Sequence, residues 1–453
     1  MDHHVNDHTI SDSKPKIHVE KLVKIYGPSP HHALALLRQG GDRHSIQQET
    51  GNILGITDVT FSVAEGELFV IMGLSGSGKS TLVRCINGLI QPTSGHVLID
   101  GEDVAHANEK RIRDIRRSKV AMVFQRFGLF PHKTVAENVE YGLKVQGLAT
   151  DERRQKALDT LEVVGLRQWA DYAPSSLSGG MQQRVGLARA LATDAPILLM
   201  DEAFGALDPL IRRDMQDELI RLQSELKKTV VFISHDIQEA LRIGDRVAIM
   251  KDGYIVQIGT PEEVVTQPVN SYIRDFVKDV NRAQVLKTGT IMRKTMPLIL
   301  GEVNASGALD LLRNHQRKRA YVVNRQRQPV GWVMRSQLEH CVEQGNDDIT
   351  QMMHSQFPQV SPDVSLESVF HLCQDGVPLA VVGDDQTLKG VVEQADIFAN
   401  IGMIAAETNS DRAIATPATA ESADSSSPPT PNELSGASSS EASDSDHSQQ
   451  AVV

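Results

Sequence analysis

The stretch that decides the fold is Gly73-Leu74-Ser75-Gly76-Ser77-Gly78-Lys79-Ser80. It follows the apolar run Leu68–Met72, which is typical of a buried strand, and it precedes a segment with helical spacing. Glycines let backbone N–H groups curl around phosphate oxygens, and the N-terminus of the next helix adds a favourable potential. We therefore predict a phosphate-binding loop, with Lys79 reaching the β- and γ-phosphates and Ser80 holding Mg²⁺. The other predicted contacts to the nucleotide are Gly73, Ser75, Gly76, Ser77, Gly78 and Thr81.

Two adjacent acids supply the second half of a nucleotide site. Asp201 and Glu202 follow Ile197–Met200, a short apolar strand pattern. Asp201 is placed to position Mg²⁺ through its water shell, and Glu202 to act as general base on the attacking water. Adjacent acids after a strand are usually solvated loop residues, so only their combination with the phosphate loop favours catalysis.

A second anion-binding helix start occurs at Leu177-Ser178-Gly179-Gly180-Met181-Gln182. Small residues open a helix whose apolar face continues through Val185 and Leu187. A domain that already has a phosphate loop does not need a second anion-binding helix start. We therefore expect this helix start to bind the γ-phosphate held by a second copy of the chain.

These motifs together resemble those of ABC-type ATPases. Leu177, Ser178, Gly179, Gly180 and Gln182 resemble the family's signature. Other elements match in order: Tyr26 the aromatic that stacks on adenine, Gln125 the Q-loop glutamine, Ala206-Leu207-Asp208 the D-loop and His235 the switch histidine. Taken alone, His235 would more often be a structural histidine and Tyr26 a strand aromatic.

The resemblance implies a head-to-tail dimer that holds two ATP molecules between phosphate loop and signature. In that arrangement His235 contacts the γ-phosphate, and Gln125 joins Ser80 and Asp201 at Mg²⁺ and couples the site to a membrane partner. A helical subdomain at about 127–176 would present the groove for a permease helix.

The order of patterns predicts an α/β fold. The resemblance implies a P-loop NTPase of ABC type, with a RecA-like core and antiparallel β and helical subdomains. Apolar strands alternate with helical patterns from Gly73 to about Gly259, which implies a parallel sheet wrapped by helices. A hairpin with an Asp252-Gly253 turn ends this pattern. We predict a flexible N-terminus at 1–15 and an ATPase domain at 16–280, with a helix-like insertion at His31–Gly51.

An internal repeat marks a second domain. Gly331-Trp332-Val333-Met334 and Gly390-Val391-Val392-Glu393 match each other, and Ala320–Val323 and Leu379–Val382 read as equivalent strands. We predict that residues 282–400 contain one small α/β unit twice over. The segment 405–453 is rich in Ser, Ala, Pro and acids and has too few apolar residues to fold, so we predict a disordered tail.

The region Ile17–Ile401 resembles the ATPase subunit of glycine betaine/proline importers. The shared wording includes Phe69–Thr81, Met200–Phe204 and Asp208–Arg212, and those proteins share the insertion. They also carry a tandem CBS domain, so the resemblance implies that the repeat at 282–400 is a tandem CBS α/β domain. The resemblance implies osmoprotectant uptake through a separate permease, with a substrate-binding protein as indirect partner. Choline or carnitine remain alternative solutes. Two other functions are considered. One is a soluble ABC ATPase of DNA repair or translation, and the other is a regulatory protein whose ATPase times the CBS pair. A neighbouring reading frame that encodes a permease would exclude both.

Two kinds of ligand could regulate the CBS pair, an anionic lipid surface or a nucleotide. Basic residues of the first module suit an anionic lipid surface that releases them as salt rises: Arg313, Arg317, Lys318, Arg319, Arg325 and Arg327. A solvated helix face explains them equally well. For a nucleotide site, Gly390 and Asp396 fit the usual pattern, but Glu393, Met334 and Gln337 depart from it.

Composition narrows the partners and the location. The net charge of -12 argues against a nucleic-acid binder, and the acidic tail supplies much of it. Three isolated cysteines, Cys85, Cys341 and Cys373, favour buried thiols in a reducing compartment over disulfides or zinc. A metal site at His3, His4 and His8 lacks supporting spacing. No apolar run is long enough to span a bilayer, so we expect a peripheral protein on the cytoplasmic face of the plasma membrane.

Overall fold

A computed structural model of the chain describes residues 14–124, 128–205, 207–373 and 376–401. Helices and strands are numbered along the chain. A four-stranded antiparallel sheet comes first, in the order β2-β1-β4-β5. Its strands are β1 (Ile17–Tyr26), β2 (Ile53–Val63), β4 (Ser94–Ile99) and β5 (Glu102–Asp103). The predicted helix-like insertion is confirmed, because α1 (Pro30–Arg38) and α2 (Arg43–Thr50) lie between β1 and β2.

A six-stranded sheet in the order β10-β9-β3-β8-β7-β6 forms the core of the ATPase region. Its strands are β3 (Leu68–Gly73), β6 (Val120–Val123), β7 (Ile197–Asp201), β8 (Thr229–Ser234), β9 (Arg246–Lys251) and β10 (Tyr254–Gly259). β3, β7 and β8 are buried along their whole length, which is why they read as continuous apolar runs. Since β3, β8 and β7 are parallel neighbours, their carboxyl ends meet at one edge.

Helices cover this core and build a separate helical region. Those around the sheet are α3 (Lys79–Ile86), α4 (Glu109–Ser118), α8 (Pro209–Leu226), α9 (Ile237–Ile243), α10 (Pro261–Thr266) and α11 (Ser271–Val277). The helical region contains α5 (Val135–Gln146), α6 (Thr150–Val163) and α7 (Gly179–Ala192), with 3₁₀ turns at Arg167–Trp169 and Pro174–Ser176. It has its own apolar core, in which Leu143, Leu161 and Val185 are fully buried. A capping box of Thr134 and Glu137 starts α5.

Two matching α/β units follow, and they confirm the predicted repeat. In each unit the first two strands are parallel and the last two antiparallel. The strands are β11 (Leu298–Ile299), β12 (Arg319–Val323) and β13 (Pro329–Met334), then β14 (Gln359–Val360), β15 (Leu379–Val382) and β16 (Leu388–Val392). The helices are α12 (Arg282–Val285), α13 (Thr288–Ile291), α14 (Ala305–Asn314), α15 (Arg335–Glu343) and α16 (Leu366–Val369), with 3₁₀ turns at Ile349–Met352 and Phe370–Cys373. Trp332 and Val391 belong to one apolar cluster shared by the two sheets.

The segment that connects the ATPase region with the repeat is held from both sides. Gln284 Nε2 donates to Glu367 Oε1 at 3.1 Å, and the Leu366 N–H donates to the Leu286 carbonyl at 2.9 Å. On the other side, Lys287 Nζ lies 3.4 Å from Glu262 Oε1 of α10. α12 also contacts α9, the helix that follows β8. The second unit of the repeat is therefore joined, through α12, to helices of the ATPase core.

All three cysteines are buried with free thiols, as the sequence predicts. Burial raises the pKa of the Cys85 thiol to about 12, which keeps it protonated and unreactive. No helix among the described residues combines the length and the apolar character needed to cross a bilayer.

Candidate functional site

The phosphate loop runs from the end of β3 to the start of α3, and its backbone requires glycine. Gly73, Gly76 and Gly78 have φ of 151°, 79° and 103°. A Cβ at Gly73 would lie 2.2 Å from the Met250 carbonyl oxygen, and one at Gly78 would lie 2.4 Å from that of Gly55. Any larger residue would push the loop away from β9 and β2. Ser77 is buried, and its Oγ has no hydrogen-bond partner among the described residues.

The Lys79 side chain contacts the backbone at the start of the phosphate loop. Its Nζ donates to the carbonyl oxygens of Gly73 and Leu74 at 2.8 and 3.1 Å and lies 4.0 Å from Glu202 Oε1. The side chain is only 4% exposed, and burial lowers the pKa of the ammonium group, while the nearby carboxylates oppose that shift. The cation is thus fixed by the loop that it serves rather than free in solvent.

Ser80 and Asp201 form the oxygen-rich part of the site. Ser80 Oγ donates to Asp201 Oδ1 at 3.0 Å, and Arg84 Nη2 lies 4.0 Å from Asp201 Oδ2. Burial raises the pKa of the Asp201 carboxyl, and the Ser80 hydrogen bond opposes the rise. A hydroxyl beside a carboxylate is a hard oxygen donor set, which suits Mg²⁺ better than any softer metal.

Glu202 leaves β7 in a strained conformation and faces His235. Its φ is 47°, in the left-handed region that few non-glycine residues occupy. The Glu202 N–H donates to the Ile233 carbonyl of β8 at 3.2 Å, which fixes this turn. Glu202 Oε2 lies 3.5 Å from His235 Nδ1, and the imidazole is 55% exposed. The two side chains thus share one solvent-accessible position at the edge of the sheet.

Tyr26 and Thr81 lie together beside the phosphate loop. Tyr26 ends β1, its ring is 38% exposed, and its hydroxyl donates to Thr81 Oγ1 at 3.2 Å. Since Thr81 is in the first turn of α3, the exposed ring is next to the loop. A flat aromatic surface at this position suits stacking on a base.

The signature residues start α7 in the helical region. Ser178 is the N-cap, and its side chain accepts a hydrogen bond from the Met181 N–H, while Gln182 Nε2 donates to the Leu177 carbonyl at 3.1 Å. A Cβ at Gly180 would lie 2.4 Å from Ile211 Cγ2 of α8, whereas one at Gly179 would meet open space. Within the described ranges, no hydrogen bond or ion pair joins residues 177–182 to residues 73–81.

Arg212 is a residue whose position the sequence motifs did not reveal. On α8, one turn after the D-loop residue Asp208, its guanidinium donates to the carbonyl oxygens of Phe204 and Leu207 at 3.3 and 3.2 Å. Arg212 Nη1 also lies 3.7 Å from Asp236 Oδ2. Asp208 itself is the N-cap of α8, without a side-chain capping bond. The sequence signals for it are its place at the end of the shared wording Asp208–Arg212 and its four-residue spacing from Asp208.

Several predicted features lie outside the described residues. They are Gln125, Ala206 of the D-loop, the N-terminal histidines and the segment 405–453.

Most of the predicted basic surface of the repeat is exposed in the structure. Arg317, Lys318, Arg325 and Arg327 are exposed, and Arg313 is exposed but paired with Glu339 at 3.2 Å. Arg319 is half-buried: it donates to the Gly376 carbonyl, and its guanidinium lies 5.5 Å from the Trp332 ring centroid. A lipid contact through these residues stays a prediction, with Arg319 the least accessible of them.

The Asp396 carboxylate, which a CBS nucleotide site would use, already forms contacts within the chain. Asp396 is 3% exposed, forms an ion pair with Arg293 and accepts a hydrogen bond from the Glu393 N–H at 3.0 Å. The Arg293 carbonyl lies 2.8 Å from where a Gly390 Cβ would be. The segment around Arg293 thus packs against Gly390, and its guanidinium pairs with the carboxylate that this pattern would offer to a ribose.

Comparison with known proteins agrees with this geometry. The family model for ABC transporters matches residues 56–205, and the CBS domain model matches residues 348–402. The chain is 47% identical over 383 residues to a glycine betaine transport ATP-binding protein of Bacillus subtilis, covering 84% of this chain and 91% of that one. It is 45% identical over 385 residues to a glycine betaine/carnitine transport ATP-binding protein of Listeria monocytogenes, covering 85% and 97%. It is 45% identical over 382 residues to a glycine betaine/proline betaine transport ATP-binding protein of Escherichia coli, covering 84% and 96%.

A phosphate loop, an acid pair after the neighbouring strand and a separate signature helix define an ATPase of the ABC class. The chain belongs to the ATP-binding proteins of ABC transporters, in the branch that contains these betaine transport proteins. It is an ATPase coupled to transport, followed by a CBS region.

Proposed function

We propose that the chain hydrolyses ATP to power uptake of glycine betaine or a proline-type osmoprotectant through a separate permease. The observation that carries the ATPase part is the meeting of Lys79, Ser80, Asp201, Glu202 and His235 at the carboxyl ends of β3, β7 and β8. The solute follows from the relatives, all three of which carry glycine betaine in their names.

Binding of ATP uses the phosphate loop, α3 and Tyr26. Backbone N–H groups from Gly73 to Ser80 surround the phosphates, and Lys79 exchanges its two carbonyl contacts for phosphate oxygens. Ser75, Gly76, Ser77 and Gly78 form the tip of the loop, and Thr81 follows in α3. Tyr26 stacks on adenine. Mg²⁺ would be held by Ser80 and Asp201, with Gln125 as a further ligand, and would neutralise charge on the phosphates.

Hydrolysis depends on Glu202 and His235. The Glu202 carboxylate removes a proton from the attacking water, and His235 orients the γ-phosphate from the other side. Their 3.5 Å separation in the present structure fits two groups that face the same reacting position. Lys79 Nζ lies 4.0 Å from Glu202 Oε1, whereas His235 Nδ1 is near Oε2, so each oxygen of this carboxylate faces a different nitrogen of the site.

Two copies of the chain are needed because, among the described residues, the signature residues make no hydrogen bond or ion pair with the phosphate loop of the same chain. Leu177, Ser178, Gly179, Gly180 and Gln182 contact the γ-phosphate held by the partner copy, and Asp208 lies at the same interface. A complementation assay tests this arrangement. Lys79→Ala and Ser178→Arg variants are each expected to lack ATPase activity, whereas their mixture restores part of it. A mixture as inactive as its components would argue against a shared site.

The permease contacts the helical region at about 127–176, on the cytoplasmic face of the membrane. Its α5 and α6 form a unit with a separate apolar core, which allows it to move relative to the sheet. The substrate-binding protein acts on the other face of the membrane and influences this chain only through the permease.

Regulation by the CBS region would act through α12. The second CBS unit holds α12 by Gln284 and Leu286, and α12 contacts α9, which begins two residues after His235. A shift of the CBS pair therefore has a short path to the catalytic histidine. Arg317 and Lys318 remain available to an anionic membrane surface, while the engaged Asp396 does not favour nucleotide as the input.

Solute identity is tested by uptake with the cognate permease and binding protein. Labelled glycine betaine, proline, choline and carnitine are compared in the same proteoliposomes. We expect uptake of glycine betaine to dominate. Dominant choline or carnitine uptake would assign the importer to another quaternary amine, and ATPase activity without any permease dependence would favour a soluble ABC enzyme.

A further inference from the structure

Three side chains that can ligate a metal converge at the outer end of the antiparallel sheet, away from the nucleotide site. His96 is in β4, Asp103 ends β5, and His106 lies three residues further along the chain. His96 Nδ1 and His106 Nδ1 lie 2.7 and 2.8 Å from the same oxygen, Asp103 Oδ2. The two imidazole rings are 5.0 Å apart between centroids.

The carboxylate of Asp103 is oriented by the backbone. Its Oδ1 accepts hydrogen bonds from the N–H groups of Ala105 and Val97 at 3.0 and 3.4 Å. These bonds leave Oδ2 directed at the two histidines. Carboxylates that bind metals are commonly held by such outer hydrogen bonds, which fix the ligand before the ion arrives.

Access and spacing also fit an ion. The side chains of His96, Asp103 and His106 are 53%, 27% and 58% exposed, so an ion can enter from solvent and keep water as a further ligand. One donor atom from each side chain lies within 4.8 Å of the others. Ligands at about 2.0–2.2 Å from a tetrahedral zinc are closer to one another than that, so small rotations of exposed side chains suffice.

We propose that His96, Asp103 and His106 form a binding site for a divalent transition-metal ion, with Zn²⁺ as the representative. Two imidazole nitrogens and one carboxylate oxygen favour such ions over Mg²⁺ or Ca²⁺, which prefer oxygen ligands alone. The ion replaces the hydrogen bonds that the two imidazoles now make to Asp103. It ties β4, β5 and the approach to α4 together, so its effect is on the stability of this sheet rather than on the chemistry of ATP.

The test is Zn²⁺ titration of the full-length, untagged protein by calorimetry, with Co²⁺ absorption as a second readout. For the wild type we expect one Zn²⁺ bound at this site and a Zn²⁺-dependent rise in melting temperature. His106→Gln should weaken that binding by at least about tenfold, because one of three protein ligands is lost. The exposed position of His106 keeps the variant folded, and an unchanged melting temperature in EDTA verifies this.

The matched control replaces His3, His4 and His8 with Gln, since these N-terminal histidines are another possible source of Zn²⁺ binding. The control should retain the site, whereas a His96→Gln/His106→Gln variant should lose it and the Co²⁺ spectrum with it. Equal Zn²⁺ isotherms for the wild type and the double variant would overturn the proposal. So would loss of all binding in the N-terminal control.

Discussion

Arg212 Nη1 lies 3.7 Å from Asp236 Oδ2, and the same guanidinium donates to the Phe204 and Leu207 carbonyls. One side chain thus connects the turn after Glu202 with the residue after His235. Asp236 in turn caps α9 by accepting from the Gln238 and Glu239 N–H groups. We therefore expect Arg212 to help fix the separation between Glu202, the proposed base, and His235.

Replacing Arg212 tests whether it positions the catalytic pair. Arg212→Gln should lower the kcat for ATP hydrolysis by about 10- to 100-fold, because misplacement of reacting groups by around 1 Å has costs of this order. The KM for ATP should change by less than about threefold, since the phosphate loop is untouched. Steady-state kinetics of the variant measure both.

Arg213→Gln is the control, since Arg213 is exposed on the same helix and should leave kcat unchanged. Arg212→Lys, which keeps the charge but not the planar fork, should recover only part of the rate. A rise in KM at constant kcat would instead place Arg212 in ATP binding.

Glu202→Gln should retain ATP binding and lose most turnover. Loss of a general base has costs of about 10²–10⁴-fold, and the amide is nearly the same size as the carboxylate. Binding of a fluorescent ATP analogue and phosphate release are measured on the same preparation. Hydrolysis near the normal rate would show that Glu202 is not the base.

The buried carboxyl of Asp201 predicts a pH effect on the nucleotide-free protein. Burial raises the pKa of this carboxyl above its ordinary value, so the folded state holds the proton more tightly than the unfolded state does. Stability from this group is therefore lost as the pH rises from about 4 through the folded pKa. Asp201→Asn has no such loss, so the melting temperature of the wild type should fall relative to that of the variant as the pH rises above about 4. A difference that is constant across this range would contradict the assignment.

The exposed pair Arg317 and Lys318 tests the membrane input to the CBS region. Replacing both with Gln should reduce activation by salt in anionic vesicles, because each base near such a surface contributes about 1 kcal/mol. Basal ATPase activity in neutral vesicles should not change. Arg313→Gln is the comparison, since Arg313 is paired with Glu339 and should have a smaller effect. An identical salt response in the double variant would exclude these two residues as the contact.

The sequence is enough to predict which strands carry the candidate site, because each motif is local. Gly73–Ser80, Asp201-Glu202 and His235 each follow a continuous apolar run, and such runs become neighbouring buried strands whose ends meet. The matching strands β13 and β16 were visible for the same reason, since each repeats one short pattern.

The sequence does not predict contacts between side chains that lie far apart along the chain. Arg319 belongs to a run of basic residues, which predicts an exposed surface, but it is half-buried because it donates to the Gly376 carbonyl and lies against the Trp332 ring. Asp396 fits a nucleotide-binding pattern in the sequence, but in the structure it is paired with Arg293, which lies about a hundred residues earlier in the chain. The cluster of His96, Asp103 and His106 depends on the pairing of β4 with β5, which spacing along the chain does not specify.

The most direct test of the account is a parallel measurement of ATP hydrolysis and glycine betaine uptake in proteoliposomes that contain this chain, its permease and its binding protein. The account predicts that uptake requires ATP on the side of this chain and that Glu202→Gln abolishes hydrolysis and uptake together. Hydrolysis that proceeds without any solute uptake, or uptake that persists in the Glu202→Gln variant, would contradict it.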